Sequence, residues 1–274
     1  MKNYVILLFC SVILSSCAGE FNKVLKSTDY DYRYEFAKQS FAEGKYSHAE
    51  TLLRELITLK KGTDEAQESL YMLAMSEFMN NDYDMASETF KKYCKTYPKG
   101  IYTEVAMFYD GQALYESAPE PRLDQTPTLG AIAAFQQFLD IYPQSPLRPI
   151  AQERLYDLQD KLVQKELLSA QLYYNLGGYF GNINSNSESN YSSSIIVAQN
   201  ALKTYPFMRN REDFALLIMK SKFQLAENSS EDKRADRYRD AEDECYGFMN
   251  EYPESKNCDL AQKFINKCRK YTKE

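Results

Sequence analysis

Four Tyr-Pro pairs recur in this chain at matched places: Tyr97-Pro98, Tyr142-Pro143, Tyr205-Pro206 and Tyr252-Pro253. Each closes one pattern. Twelve residues before the proline stands a small residue, Ala86, Ala131, Ser194 or Ala241. Eight before stands Phe90, Phe135, Ala198 or Cys245, and five before stands Tyr93, Phe138, Ala201 or Phe248. Spacings of four and three put all three residues on one stripe of an α-helix. Proline then stops the helix, because it lacks an N–H and its ring clashes with the turn before it. Units of this kind bury their stripes by stacking on one another, so the recurrence predicts a solenoid of helix pairs. Solenoids usually bind other proteins rather than perform chemistry. Helical periodicity runs through the rest of the chain and no alternating run suggests strands, so the fold class is all-α.

The pairs can be traced along the sequence. Phe36-Ala37, Phe41, Gly44-Lys45-Tyr46, Ala49, Leu53 and Leu56 form the first. Leu73-Ala74, Phe78, Asn81-Asp82-Tyr83, Ala86, Phe90 and Tyr93 form the second, at an offset of 37 residues. Gly44 and Asn81 suit turns with positive φ. A third pair is expected over about Thr103–Glu116 and Thr128–Tyr142, split by the proline-rich insertion around 116–128. A long helix over about 147–177 opens the fourth pair, followed by a polar stretch, 181–194, with almost no apolar content. The fifth pair is expected over Arg211–Glu227 and Arg237–Tyr252, joined by the charged segment 228–236. A helix over Asp259–Tyr271 would cap the stack.

The pattern of a small residue in the first helix, a Gly/Asn turn with Tyr, then Ala, a bulky residue and Pro resembles the tetratricopeptide (TPR) repeat. The expected fold is a TPR-like α-solenoid of about five helix pairs with a C-terminal capping helix. Four segments follow: a signal peptide at 1–16, a lipidated linker at 17–29, N-terminal repeats at 30–146 and C-terminal repeats at 147–274.

The start of the chain carries an address. Lys2 precedes an apolar run from Tyr4 to Leu14, too short for the ~20 residues that span a bilayer. Leu14-Ser15-Ser16-Cys17 resembles the lipobox of bacterial lipoproteins, which implies cleavage before Cys17 and N-acyl and S-diacylglycerol groups on it. Ala18 gives no inner-membrane retention signal of the enteric kind, so the resemblance implies the outer membrane, facing the periplasm. Removing 16 of 274 residues takes only Lys2 from the charges, and leaves 32 basic against 39 acidic residues. That balance speaks against a nucleic-acid partner. Cys94, Cys245, Cys258 and Cys268 include no CxxC pair, and the one histidine, His48, reads as a surface residue, so neither a metal nor another cofactor is expected. The four thiols read as free, with a Cys245–Cys268 or Cys245–Cys258 disulfide as the alternative.

A lipobox followed by TPR-like repeats resembles the BamD (ComL) family of outer-membrane lipoproteins. The carrying segments are Phe36 to Ala49, the Ala-x3-Phe-x2-Tyr/Phe-x4-Pro endings, and Gln171-Leu-Tyr-Tyr-Asn-Leu-Gly-Gly-Tyr-Phe180. The resemblance implies a non-enzymatic subunit of the machine that inserts β-barrel proteins. Its C-terminal repeats would dock a BamA-like barrel protein through POTRA domains beside other subunits. Its N-terminal repeats would receive unfolded barrel proteins. The alternative is a TPR lipoprotein scaffold tied to cell-wall synthesis or division.

Independently of the resemblance, the offset of 37 aligns Tyr34, Tyr71 and Phe108, and seven residues on, Phe41, Phe78 and Tyr115. This aromatic ladder either lines a concave groove or forms the seam between helices; spacing alone leaves both open. Met75 and Gln112 are expected in the groove, since seams seldom bury an amide. Replacing Tyr71 and Phe78 by alanine is expected to weaken peptide binding without unfolding the chain.

Overall fold

The computed structural model describes residues 19–177 and 189–272; the signal segment, Cys17 and residues 178–188 lie outside them. After a helix over residues 19–25 (α1) come α2 (Tyr30–Ala42), α3 (Tyr46–Leu59), α4 (Asp64–Met79), α5 (Tyr83–Thr96), α6 (Thr103–Ser117), α7 (Thr126–Ile141), α8 (Arg148–Leu176), α9 (Asn190–Thr204), α10 (Arg211–Glu227), α11 (Glu231–Glu251) and α12 (Cys258–Thr272). The described residues contain no strand. They divide into two compact units. The first holds the chain up to Pro119 with Gln125–Leu158, the second Glu120–Asp124 with the chain from Gln159 onward. In the first, α2 to α7 pack each on the next, α2 also touches α4, and the start of α8 is buried with α7; in the second, α9 to α12 pack each on the next, and the later part of α8 is buried with α9. The chain is an all-α, TPR-like solenoid, with pairs α2/α3, α4/α5, α6/α7, α8/α9 and α10/α11 and α12 as the cap.

The Tyr-Pro pattern accounts for this packing. All twelve stripe residues are buried. The small position matters because the preceding helix of the pair approaches there: Ser194 of α9 donates to the carbonyl of Ala170 on α8 at 2.9 Å. The four helix ends repeat closely. Tyr97, Tyr142, Tyr205 and Tyr252 leave the helix with φ between −128° and −119° and ψ between 62° and 69°. These values lie outside the α region, which the following proline disfavours for the residue before it. Each tyrosine carbonyl then accepts a hydrogen bond from the N–H three residues on, Gly100, Ser145, Met208 or Ser255, which turns the chain into the next helix.

The turns inside the first two pairs are also copies. Gly44 (φ 75°) and Asn81 (φ 64°) take the left-handed conformation. Lys45 donates to Ser40 at 2.8 Å and Asp82 to Glu77 at 2.9 Å, the long hydrogen bond of a Schellman cap.

Four expectations change. Residues 17–29 do not form a free linker throughout: Val24 of α1 is fully buried against the first pair, and Phe21 stacks on His48 with centroids 4.0 Å apart. His48 is therefore half-buried and holds α1. The polar stretch 181–194 is helical from Asn190, where Ser194 is drawn into the core, while its earlier part lies outside the described residues. The second helix of the fifth pair starts at Glu231, not Arg237. Acidic Glu231 and Asp232 suit the positive end of the helix dipole, and Tyr238 anchors the first turns by burial and a hydrogen bond to Glu227. Finally, the division between the units falls inside α8, after Leu158, and not at 146, since Ala151 and Leu158 are buried with Phe135 and Phe138 of the first unit.

Cys94, Cys245, Cys258 and Cys268 are free thiols. Burial raises the pKa of Cys245 to about 12 and those of Cys94 and Cys268 to about 11.

Candidate functional site in the N-terminal repeats

The aromatic ladder sits on the first helices of three successive pairs, α2, α4 and α6. The structure divides it. Tyr34 is buried, with its hydroxyl on Glu68 and the ammonium groups of Lys38 and Lys60 each 5.2 Å from its ring centroid. Burial first, and then Glu68, raises its phenol pKa. Phe108 is a core residue, edge-on to Phe135 at 5.9 Å and Phe138 at 5.6 Å. Tyr71 stacks on Tyr102 at 4.4 Å and meets Phe90 and Tyr93, and burial pushes its pKa up to about 12. Phe78 lies between Tyr83 and Tyr109, and Phe41 meets Tyr46 edge-on. Tyr115 donates to Asp157 at 3.1 Å beneath the Arg154 guanidinium. Met75 is half-buried in the α4–α6 cluster.

Gln112 departs from expectation. It is 9% exposed, and its amide is satisfied by Glu116 one turn on, at 2.7 Å, so the seam holds it without an orphaned polar group. The rings of Tyr71 and Phe78 each pack on several neighbours. Removing both therefore costs stability.

The open surface lies beside Tyr34. A cavity of about 600 Å³ opens between α2, α4 and the turn before α6. Tyr34, Tyr102 and Ile101 give it apolar walls, and Ile101 is 80% exposed. Glu35, Asp64, Glu65 and Glu68 line it with carboxylates, and Lys38 supplies one cation, 3.6 Å from Glu68. A volume in this range accepts a few side chains of a peptide. Of the eight candidate residues this cavity uses Tyr34. The others missed by sequence reasoning left one signal: three residues past the proline, the four repeats hold Ile101, Pro146, Arg209 and Lys256. Of these four, Ile101 is the aliphatic side chain, and its turn leaves it exposed.

Among the described residues no group of three or more His, Cys, Asp or Glu is placed to hold a metal ion. No described helix is long and apolar enough to cross a membrane.

Comparison with known proteins adds the family. The chain is 22% identical over 167 residues to the outer membrane protein assembly factor BamD of Caulobacter vibrioides, covering 60% of this chain and 55% of that protein. The chain thus spans about half the length of the curated relative it matches. Among solved structures it is similar to the TPR2AB domain of yeast Sti1 in a complex with pHSP90 (12% identity, 89% of this chain and 98% of that one, TM-score 0.38). It is also similar to a Podosopora anserina putative kinesin light chain with TPR-like repeats (13% identity, 87% and 92%, TM-score 0.33). The model of the YfiO family, outer membrane lipoproteins, matches residues 27–188, more than half of the sequence, and the chain belongs to that family.

Proposed function

We propose that this chain is a non-enzymatic assembly factor of the outer membrane, part of a complex that inserts β-barrel proteins. The observation that carries the reading is the coincidence of the YfiO match with a peptide-sized cavity on the first helices of the matched repeats. In this reading Cys17 carries the lipid, and several acyl chains hold the protein at the membrane, facing the periplasm. Segments of unfolded barrel proteins enter the first unit beside Tyr34, Ile101 and Tyr102. The second unit docks a BamA-like barrel protein through POTRA domains, with other subunits of the machine beside it. The work is done by binding free energy: an aromatic-walled concavity stabilises an apolar segment that would otherwise aggregate.

The test is co-purification of the lipidated protein from envelopes in mild detergent, with mass spectrometry of what comes with it. A stoichiometric barrel protein carrying POTRA domains is expected. Cell-wall synthases or division proteins without such a barrel would overturn the reading in favour of a scaffold.

A further inference from the structure

The second unit carries a cavity of opposite chemistry. About 460 Å³ opens between the insertion loop and the later half of α8. Leu168 and Leu172 lie one turn apart on its α8 wall, and Leu176 continues the row; all three are exposed. Leu123, 59% exposed, stands beside it in the loop. Arg122 and Lys165 line the same cavity, and no carboxylate does. Glu120 and Asp124 belong to the loop but do not line the space. Lys165 donates to the carbonyl of Leu123 at 3.4 Å, which ties the loop to the helix and keeps both cations on one side. In a chain of net charge −6 this is a local reversal of sign. Gln171 and Asn175, joined by a hydrogen bond of 2.9 Å, leave amide groups over for a peptide backbone.

We propose that this cavity is a docking site for an amphipathic segment of a partner protein, one that presents leucine-like side chains with carboxylates between them. Exposed leucines in helical register seat the apolar face, and Arg122 and Lys165 select the acidic one. The concave shape and the amide groups favour a peptide over a membrane surface, which would meet a convex cationic face. The proposal does not rest on the assembly reading, because neither the barrel machine nor the first unit enters it.

The experiment uses the full mature chain and fluorescence anisotropy with three short labelled peptides: leucines at helical spacing with glutamates between, the same with glutamines, and the same with lysines. The glutamate peptide is expected to bind about tenfold or more tighter than the glutamine peptide, and the lysine peptide least. Arg122→Glu with Lys165→Glu should reverse that order. Leu172→Ser, at an exposed position, should weaken all three. Arg122→Glu alone, which leaves the Lys165–Leu123 hydrogen bond in place, serves if the double variant misfolds. Equal affinity for the three peptides, or an order unchanged by Arg122→Glu, overturns the proposal. So does charge-dependent binding of phosphatidylglycerol vesicles without peptide binding, which would assign the site to lipid, or self-association lost on Leu172→Ser, which would assign it to a second copy.

Discussion

Replacing Gly111 by alanine tests the idea that the small positions are set by how closely helices approach. Alanine in a helix interior is favoured over glycine by about 1 kcal/mol. At Gly130 in α7 and Gly247 in α11, an added Cβ meets nothing within 4 Å, so Gly130→Ala and Gly247→Ala should each stabilise by about that amount. At Gly111 the same methyl would lie 2.9 Å from Phe135 Cδ1, 3.0 Å from Cε1 and 3.2 Å from Cγ. Comfortable carbon–carbon contact needs about 3.5–4.0 Å. Phe135 is fully buried and edge-on to Phe108, so its ring has no free volume to retreat into. Overpacking of this kind costs about 1–3 kcal/mol. The net effect of Gly111→Ala is a loss of about 0–2 kcal/mol, and the gap between it and the open glycines is the overpacking cost itself. Urea unfolding followed by helical circular dichroism measures all three. A second arm isolates the contact: in a Phe135→Leu background, where the ring is gone, Gly111→Ala should cost less than it does alone. If Gly111→Ala stabilises as much as Gly130→Ala, the argument from close helix approach is wrong.

Ile101→Ser should lower the affinity of the first unit for an unfolded barrel segment about tenfold while leaving the urea midpoint unchanged, because Ile101 is exposed. Loss of stability alongside affinity would show it to be structural. Stability should depend on pH through two buried carboxyls. Burial raises the pKa of Glu77, against the pull of Thr89 and Arg54, and that of Asp110, against Ser87 and Lys91. A carboxyl raised in the folded state favours folding when protonated, so this contribution is present in acid and is lost as pH rises through the folded pKa. Glu77→Gln with Asp110→Asn should flatten the urea midpoint against pH over that window, and an unchanged slope would refute the assignment. Alkylation of the native protein with iodoacetamide should mark Cys258 well before Cys245 and Cys268, whose burial keeps them protonated, with peptide mass spectrometry as the readout. Labelling of all four at one rate would contradict the buried placement.

The core was readable because it repeats. Spacing alone identified the twelve stripe residues, all buried, and the Gly44 and Asn81 turns, because helix packing and left-handed turns each demand a residue type at a fixed place. What did not repeat was missed. Phe21, Val24 and Leu25 of α1 have helical spacing but too short a run to stand out. The start of α11 looked like a charged loop because, before Tyr238, it contributes little that is buried. The aromatic ladder stayed ambiguous for a deeper reason. A seam and a groove wall on the same helix share one period, so a tyrosine at position 34 or 71 fits both until its neighbours are placed. Those neighbours include Tyr102 and Phe90 for Tyr71, and the Lys38 and Lys60 ammonium groups for Tyr34.

Charge is where sequence and structure part most. The chain is acidic overall, and a net value predicts one sign for its surface. The fold sorts the charges instead. Glu35 is brought to Asp64, Glu65 and Glu68 from a neighbouring pair, and Arg122 in an insertion is brought to Lys165 a helix away. The first grouping joins residues about thirty apart and the second residues 43 apart, separations that the fold bridges and composition cannot report. The result is two concavities, one walled by aromatics and one by leucines, with linings of opposite charge. The apolar walls contribute affinity to either, while the lining decides which segment each excludes, since like charges brought together out of water cost several kcal/mol. Under the proposed readings, a protein that takes an unfolded chain at one cavity and an acidic amphipathic segment of a partner at the other gains from that arrangement: the two ligands are told apart by charge, so neither displaces the other from its own site.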